Sequence, residues 1–486
     1  MNLDRQVCSR ARLSRDARFD GKFFIAVLST GIYCRPICTA RASKEENVRY
    51  YPSAAAAAGA GFRPCLRCRP ECSPGTPAWS GTSSTVSRAL RLISEGGLED
   101  GGMEALAERL GVGGRHLRRL FLKHLGATPN AVAQTRRLHF AKKLIDETSL
   151  SMTQVAVASG FGSVRRFNAA IRQVYNRTPL QIRSLARRAA VEPENQYLLR
   201  LPFRPPYAWK SVLAFLADHA IPGVEFVEQN TYRRSISWNR THGYFEVSLD
   251  ASGSSLAARV QFGDSSALYF IVERIRAMFD VSADWSVIVQ SLKSDPALAD
   301  IAEAEPGLRV PGCWNGFELA TAAILGQHVS LECAAALAGR LVQALGTPIP
   351  PMSGVAYLFP SPETLATADL ASIGLPPSQA ATIRALARAV CDGRISFDQI
   401  VETDAFLGRL REIPGIGRWT AQYVAMRALG EPDAFPNGEP GMVRGLPEKT
   451  AGEIERRAEA WRPWRAYGVM YLWKLARENG VRISRN

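Results

Sequence analysis

Cys34, Cys38, Cys65 and Cys68 stand as two pairs, with three residues inside the first, two inside the second and twenty-six between them. Four thiolates at these spacings suit tetrahedral coordination of one zinc ion. Zinc holds a ligand sulfur deprotonated at neutral pH, and the thiolate is the nucleophilic form of cysteine. Such a site can therefore staple a small domain or present an activated nucleophile. Cys72 is a near neighbour with no place in a four-ligand set. Five of the nine cysteines fall between residues 34 and 72, and with no secretory signal pattern the clustering points to metal or thiol chemistry rather than disulfides.

A second constellation runs from residue 413 to 439 and begins Ile413-Pro-Gly-Ile-Gly-Arg-Trp-Thr-Ala-Gln-Tyr423. Phe406, Leu407, Leu410 and Ile413 recur at helical spacing before it, and Ala421, Val424 and Ala428 recur after it. Two helices joined by Pro414-Gly-Ile-Gly417 follow from this, a helix-hairpin-helix. Gly415 and Gly417 let backbone N–H groups at the start of the second helix approach an anion, where the helix dipole favours negative charge. A DNA phosphate is the natural occupant. Trp419 and Tyr423 lie one turn apart, away from the apolar stripe, and form a flat surface suited to a flipped base.

The elements that must hold these residues divide the chain into three or four domains, as its 486 residues suggest. No apolar run is long enough to span a membrane, so the expected location is the cytoplasm, with no membrane partner. The net charge of +15 is uneven: residues 1–195 carry 31 Lys+Arg against 15 Asp+Glu, leaving 29 against 30 for the rest. A basic N-terminal part suggests nucleic-acid binding through phosphates, although a solubilising surface has the same composition. A Pro/Gly/Ser/Thr-rich linker follows Ser73. Residues 85–188 read as helical with a repeat at an offset of fifty: Arg115 with Arg165, Leu117 with Phe167, Thr128-Pro129 with Thr178-Pro179. Each unit reads as a helix-turn-helix, with turns at Gly111-Val-Gly113 and Gly160-Phe-Gly162. Residues 197–285 alternate strand and helix patterns, and residues 300–478 are nearly all helical by pattern.

Three resemblances follow from these blocks. Gly31-Ile-Tyr-Cys34-Arg-Pro-Ile-Cys38 with Gly61-Phe-Arg-Pro-Cys65-Leu-Arg-Cys68 resembles the N-terminal domain of the Ada adaptive-response proteins. It implies that Cys34 is both zinc ligand and acceptor of a methyl group from a methylated DNA phosphate. The repeated helical unit resembles the AraC-type DNA-binding domain, which makes Arg115, Arg118, Arg119, Arg165 and Arg166 candidate DNA contacts. Ala323-Ile-Leu-Gly-Gln-His328, Pro414-Gly-Ile-Gly-Arg-Trp419 and Trp461-Arg-Pro-Trp-Arg-Ala-Tyr467, with Trp473 beyond, resemble the AlkA-type glycosylases of the helix-hairpin-helix superfamily. The fold expected is multidomain: a small α+β zinc domain (1–76), an all-α double helix-turn-helix (84–189), an α+β domain (196–300) and an all-α helix-hairpin-helix glycosylase domain (301–486).

The glycosylase resemblance implies roles for single residues. His328 takes the position that enters the duplex where the base is extracted, and Trp419, Tyr423 and Trp473 line the base pocket. Glu439 occupies the place of the family's catalytic aspartate. It keeps the charge but adds a methylene, and displacement on the order of 1 Å can cost ~10²-fold in rate. Pro440 reads as the first residue of a helix, for which glutamate is a poorer N-cap than aspartate. Asp433 is a possible substitute, or a cap of the preceding turn. Trp419 stands where strand-cutting relatives carry a lysine, so no imine forms and an abasic site is the expected product. The resulting expectation is a monomeric repair protein that acts on damaged and operator double-stranded DNA, with one zinc ion and no cofactor for base release. The alternative is a methylation-sensing regulator whose glycosylase half is inactive. Cys313, Cys333 and Cys391 lack the surroundings of a second methyl-acceptor site, so repair of O-alkylated guanine is not expected.

Overall fold

The computed structural model describes residues 4–74, 84–94, 96–98, 102–185, 193–397, 403–438 and 450–478. Its first compact unit comprises Met1–Pro205, Asp250–Arg276 and Val281–Asp284; its second comprises Pro206–Leu249, Ala277–Asp280 and Trp285–Asn486. No described helix is long and apolar enough to cross a membrane.

In the first unit Asp4 caps α1 (Arg5–Ser14) by accepting from the N–H groups of Gln6 and Val7. There follow β1 (Phe24–Val27), β2 (Ile32–Cys34), β3 (Val48–Tyr51), α2 (Ala54–Gly59) and β4 (Arg63–Pro64), with the strands in the order β3-β1-β2-β4. Successive side chains of a strand point to opposite faces, and both faces of β1 are covered. Ile25 packs with Cys8 and Ala11 of α1, while Phe24 and Ala26 pack with Ala57 of α2. The small residues of α2 allow close approach. β4 lies parallel to β2, with Ile32 opposite Arg63 and Tyr33 opposite Pro64, and this register brings Cys34 alongside Cys65.

Among the described residues the unit continues with seven helices: α3 (Ser84–Ser94), α4 (Gly102–Arg109), α5 (Gly114–Leu125), α6 (Pro129–Glu147), α7 (Met152–Ala158), α8 (Val164–Tyr175) and α9 (Pro179–Leu185). The offset-fifty repeat is structural. Leu117 and Phe167 are both fully buried, and α5 and α8 both end on a left-handed residue, Gly126 and Asn176. Thr128 caps α6, and Thr178 accepts from the N–H of Gln181 in α9.

α6 is the hub of this unit. Lys142 Nζ lies 3.2 Å from Glu71 and 2.5 Å from Asp146, and Arg69, next to Cys68, pairs with Glu71, Asp146 and Glu147. On the same helix Lys143 pairs with Glu147 at 2.7 Å and donates to the carbonyl of Arg200, whose own N–H donates to Glu147. Arg200 belongs to β5 (Gln196–Pro202). Buried charges are tolerated here because every one has a partner; removing a single member typically costs ~3–5 kcal/mol.

The second unit opens with α10 (Trp209–Asp218) and the antiparallel meander β6 (Glu225–Glu228), β7 (Thr231–Trp238) and β8 (Thr241–Leu249). In the first unit β9 (Ser255–Phe262) pairs antiparallel with β5, and α11 (Leu268–Met278) follows. The second unit then continues with α12 (Trp285–Leu292), α13 (Pro296–Ala304), α14 (Gly316–Leu325) and α15 (Leu331–Leu345). A two-stranded hairpin, β10 (Thr347–Met352) and β11 (Val355–Leu358), interrupts the expected helical run. Pro348, Pro350 and Pro351 exclude a helix there, and three prolines among six residues hide the strand period. α16 (Pro362–Thr367), α17 (Pro377–Cys391), α18 (Thr403–Arg411), α19 (Arg418–Ala428), α20 (Ala451–Ala458) and α21 (Arg465–Glu478) complete the unit. Ile324, Leu341, Leu365, Ile383, Leu386, Leu410 and Val424 form part of one apolar core shared by α14 to α19.

His139 on α6 is half-buried and hydrogen-bonded to the Tyr33 hydroxyl at 3.0 Å. Burial pushes its imidazole down to about 4, whereas an unfolded histidine titrates near 6.5. The folded value is depressed, so stability is full above pH 6.5 and falls as pH drops from there through about 4, by ~1.4 kcal/mol per pH unit and roughly 3 kcal/mol in all. Denaturant midpoints measured from pH 7.5 to 5 should decline, and His139→Gln should flatten that slope. An unchanged slope in the variant would assign the acid sensitivity to another group.

Candidate metal centre and base-release site

The sequence-predicted cysteines converge. Cys34 ends β2, Cys65 follows β4, and tight turns add Cys38 and Cys68, whose N–H groups bond back to Arg35 O in the first case and whose neighbour Arg69 bonds back to Cys65 O in the second. All four sulfurs lie within 4.8 Å of one another, near the ~3.8 Å edge of a tetrahedron with Zn–S bonds of about 2.3 Å. As free thiols they compete for protons. Hydrogen bonding with Cys34 holds Cys65 well below the usual thiol range, while hydrogen bonding with Cys38 raises Cys34 and hydrogen bonding with Cys34 raises Cys68. A set of sulfurs that cannot all ionise alone fits a divalent cation. Arg35, inside the first pair, donates its N–H to Cys68 Sγ at 3.3 Å and forks onto Asp20. Cys72 lies outside the group.

The hairpin forms as expected, but its two glycines have different reasons. Gly415 has φ 88°, a left-handed conformation, and a Cβ there would overlap Thr382 Oγ1. Only glycine fits. Gly417 has φ −81° and ψ 177°, which any residue adopts, and faces open space at the start of α19, where no side chain caps the helix. Its bareness leaves the first-turn N–H groups approachable. The carbonyl side of the hairpin is tied down: Gln327 Nε2 donates to Gly415 O and to Thr420 Oγ1, each at 3.0 Å, and Thr382 Oγ1 lies 2.9 Å from Pro414 O. Gln379 in turn donates to the carbonyl of Gln327 at 3.2 Å. His328 follows directly, exposed, with φ 61°. A left-handed histidine is a strained backbone position of the kind found at functional turns.

Trp419 and Tyr423 stack on one another, with ring centroids 5.0 Å apart and planes at 11°, and both are buried. Trp473 approaches Tyr423 at 6.1 Å and stacks over Phe215, also at 6.1 Å. The indole N–H groups of Trp419 and Trp473 have no hydrogen-bond partner among the described residues. The Phe435 N–H donates to Gln422 Oε1 at 2.9 Å, tying the segment that leads toward residue 439 to α19. Glu439 itself, like Pro440, lies outside the described residues. Asp433 is neither a spare base nor a cap: its carboxylate is gripped by Arg465 at 2.8 Å and by Arg462, and two guanidinium groups stabilise its charged form and occupy its oxygens.

Arg115, Arg118 and Arg119 on α5, and Arg165 and Arg166 on α8, are all exposed. Arg115 and Arg165 occupy equivalent positions of the repeat, whereas Arg118, Arg119 and Arg166 correspond to Asn168, Ala169 and His116; Leu117 and Phe167, also equivalent, are turned inward. Gln327, Thr382, Gln379 and Arg427 were not singled out from sequence. Gln327 had a signal, its place inside the block that ends at His328; Thr382 and Gln379 sit on an unremarkable amphipathic helix.

Models of known families match three segments: the metal binding domain of Ada over residues 7–71, a helix-turn-helix domain over 106–184 and the AlkA N-terminal domain over 198–315. A protein of Mycobacterium tuberculosis, a probable bifunctional transcriptional activator/DNA repair enzyme AlkA, is 40% identical over 482 residues, which is 97% of each chain. DNA-3-methyladenine glycosylase 2 of Escherichia coli is 32% identical over 276 residues, covering 56% of this chain and 95% of its own. The 3-methyladenine DNA-glycosylase of Archaeoglobus fulgidus shares the fold with a TM-score of 0.51, at 20% identity over 57% of this chain and 98% of its own. With a relative this similar along nearly its whole length, the chain belongs to the family of bifunctional transcriptional activator/DNA repair enzymes of the AlkA type.

Proposed function

We propose that this chain repairs alkylated DNA by two chemistries and regulates transcription through its helix-turn-helix repeat. The observation that carries the reading is the presence, in one chain, of a four-sulfur cluster and of an uncapped helix-hairpin-helix beside an aromatic cluster. Cys34, Cys38, Cys65 and Cys68 would hold one zinc ion, which when bound keeps the sulfurs as thiolates at neutral pH. The Cys34 thiolate attacks the methyl carbon of a DNA methylphosphotriester; the S–C bond forms, the C–O bond breaks, and its electron pair stays on the phosphate. Cys34 ends as a thioether, so the transfer happens once per protein. It removes one negative charge beside the DNA backbone, which raises DNA affinity and links repair to regulation. Arg115, Arg118, Arg119, Arg165 and Arg166 contact operator DNA.

For base release, the N–H groups after Gly415 and Gly417 bind a phosphate and His328 enters the duplex at the lesion. The extracted base sits among Trp419, Tyr423 and Trp473. Electron-rich rings favour bases made cationic by alkylation, of the 3-methyladenine type. Glu439 stabilises the positive charge that builds on the sugar and orients the water that captures it. Trp419 offers no amine, so the products are a free base and an abasic site, and no cofactor takes part.

Two experiments test these assignments. Cys38→Ser should reduce the zinc content from one ion per chain to none by elemental analysis; unchanged zinc would refute the ligand set. Glu439→Gln keeps shape and removes charge, so release of alkylated bases should drop by ~10²-fold or more, while Glu439→Asp should equal or exceed the parent. Equal rates in the glutamine variant would clear Glu439 of a catalytic role. An inert parent with an active aspartate variant would identify the protein as a regulator whose glycosylase half is silent.

A further inference from the structure

Arg427, one turn after Tyr423 on α19, is a charged group that the chemistry above leaves unused. Its guanidinium is buried; Nη1 donates to Tyr423 Oη at 2.6 Å, Nε to Pro311 O at 2.9 Å and Nη2 to Gly312 O at 3.0 Å. Its central carbon lies 4.9 Å from the Phe215 ring centroid and 5.5 Å from that of Tyr423. Among the described residues no carboxylate forms an ion pair with it. Arg234, buried in the same unit, does have such partners, Glu225 and Glu318. The hydrogen bonds that the structure shows for Arg427 go to neutral acceptors, and in a dry interior its positive charge reaches further than in water.

Of the two rings it touches, Tyr423 is one of those assigned to the base and Phe215 packs on another, Trp473. Tyr423 stacks on Trp419, and Phe215 stacks on Trp473. A fixed cation therefore sits one ring behind the place where the damaged base is held, and its effect depends on the charge of that base. A purine alkylated at N3 or N7 is cationic in DNA. When its C1′–N9 bond breaks, the electron pair goes to the base, which leaves neutral, and the positive charge passes to the sugar. A neutral damaged purine, such as a deaminated one, leaves instead as an anion. The sugar cation is captured by water, and the proton that water releases is the one the departing base finally takes. A cation behind the rings opposes binding of the first class and stabilises the leaving group of the second.

We propose that Arg427 is a specificity-determining residue, acting through Tyr423 and Phe215, that lets the site release neutral damaged purines at the cost of weaker binding of cationic ones. The proposal rests on the glycosylase reading above. Its test uses the full chain and two duplexes, one with a single 7-methylguanine and one with a single hypoxanthine. Arg427→Gln removes the charge and keeps N–H donors; Arg427→Lys keeps the charge. Comparing both substrates in one preparation cancels any loss of folded protein. Arg427→Gln should lower kcat for hypoxanthine by about tenfold or more relative to kcat for 7-methylguanine, and should lower KM for 7-methylguanine. Arg427→Lys should keep the parent's ratio. An unchanged ratio in Arg427→Gln, or the same change in both variants, overturns the proposal. So does a parent that releases 7-methylguanine but not hypoxanthine, a result obtained without any variant, and it leaves the glycosylase reading standing. Release of neither base overturns that reading and this proposal together.

Discussion

A hairpin can turn its N–H groups toward an anion only if its carbonyls are satisfied on the other side. In this protein that condition is met by two side chains far away in sequence. Gln327 donates to Gly415 O and Thr382 reaches Pro414 O, so the loop is fixed from the core side and its outer face stays bare. The same glutamine begins the turn on which His328 stands in a left-handed conformation. The hairpin proposed to bind phosphate and the turn that carries His328 are thus held by one amide, and the aromatic cluster follows on the helix that the hairpin starts. A buried polar group is costly unless its bonds are made. The hairpin, the turn before α15 and the body of α17 are therefore held together through Gln327, Gln379 and Thr382.

The metal centre depends on an analogous constraint at the level of the strand. Parallel pairing of β2 with the two-residue β4 places Cys34 beside Cys65, and each then needs only a tight turn to bring up a second sulfur. The segment that leaves the cluster, Arg69 to Cys72, runs directly into the charges of α6. The zinc module is therefore built into the helical repeat of its own unit rather than tethered to it, and α6 carries the link onward to Arg200.

What could be read from the sequence was whatever a short stretch encodes. Four cysteines at fixed intervals, Pro414 to Gly417 and the fifty-residue repeat each state their structure within a few residues, and each formed where expected. What could not be read depends on contacts between distant residues. Thr382 lies 32 residues from the carbonyl it reaches and Gln327 lies 88 from Gly415. Arg427 reads as one more arginine on a helix until the carbonyls of Pro311 and Gly312 are seen to face it. Asp433 reads as a cap until Arg462 and Arg465 are seen to hold it. β10 and β11 were hidden because prolines obscure the period of a strand. For Glu439 the assignment still rests on its position in the chain, twenty residues after Trp419.

The central claim is that one chain performs a stoichiometric and a catalytic repair reaction at separate sites. The most direct measurement offers the intact protein an excess of duplex DNA carrying both methylphosphotriesters and alkylated purines, and counts both products over time. The account predicts one methyl group per protein, found by mass spectrometry on the peptide bearing Cys34, while free base continues to accumulate to many equivalents. A methyl group on Cys72 in place of Cys34, or base release that stops at or below one equivalent per protein, would contradict it.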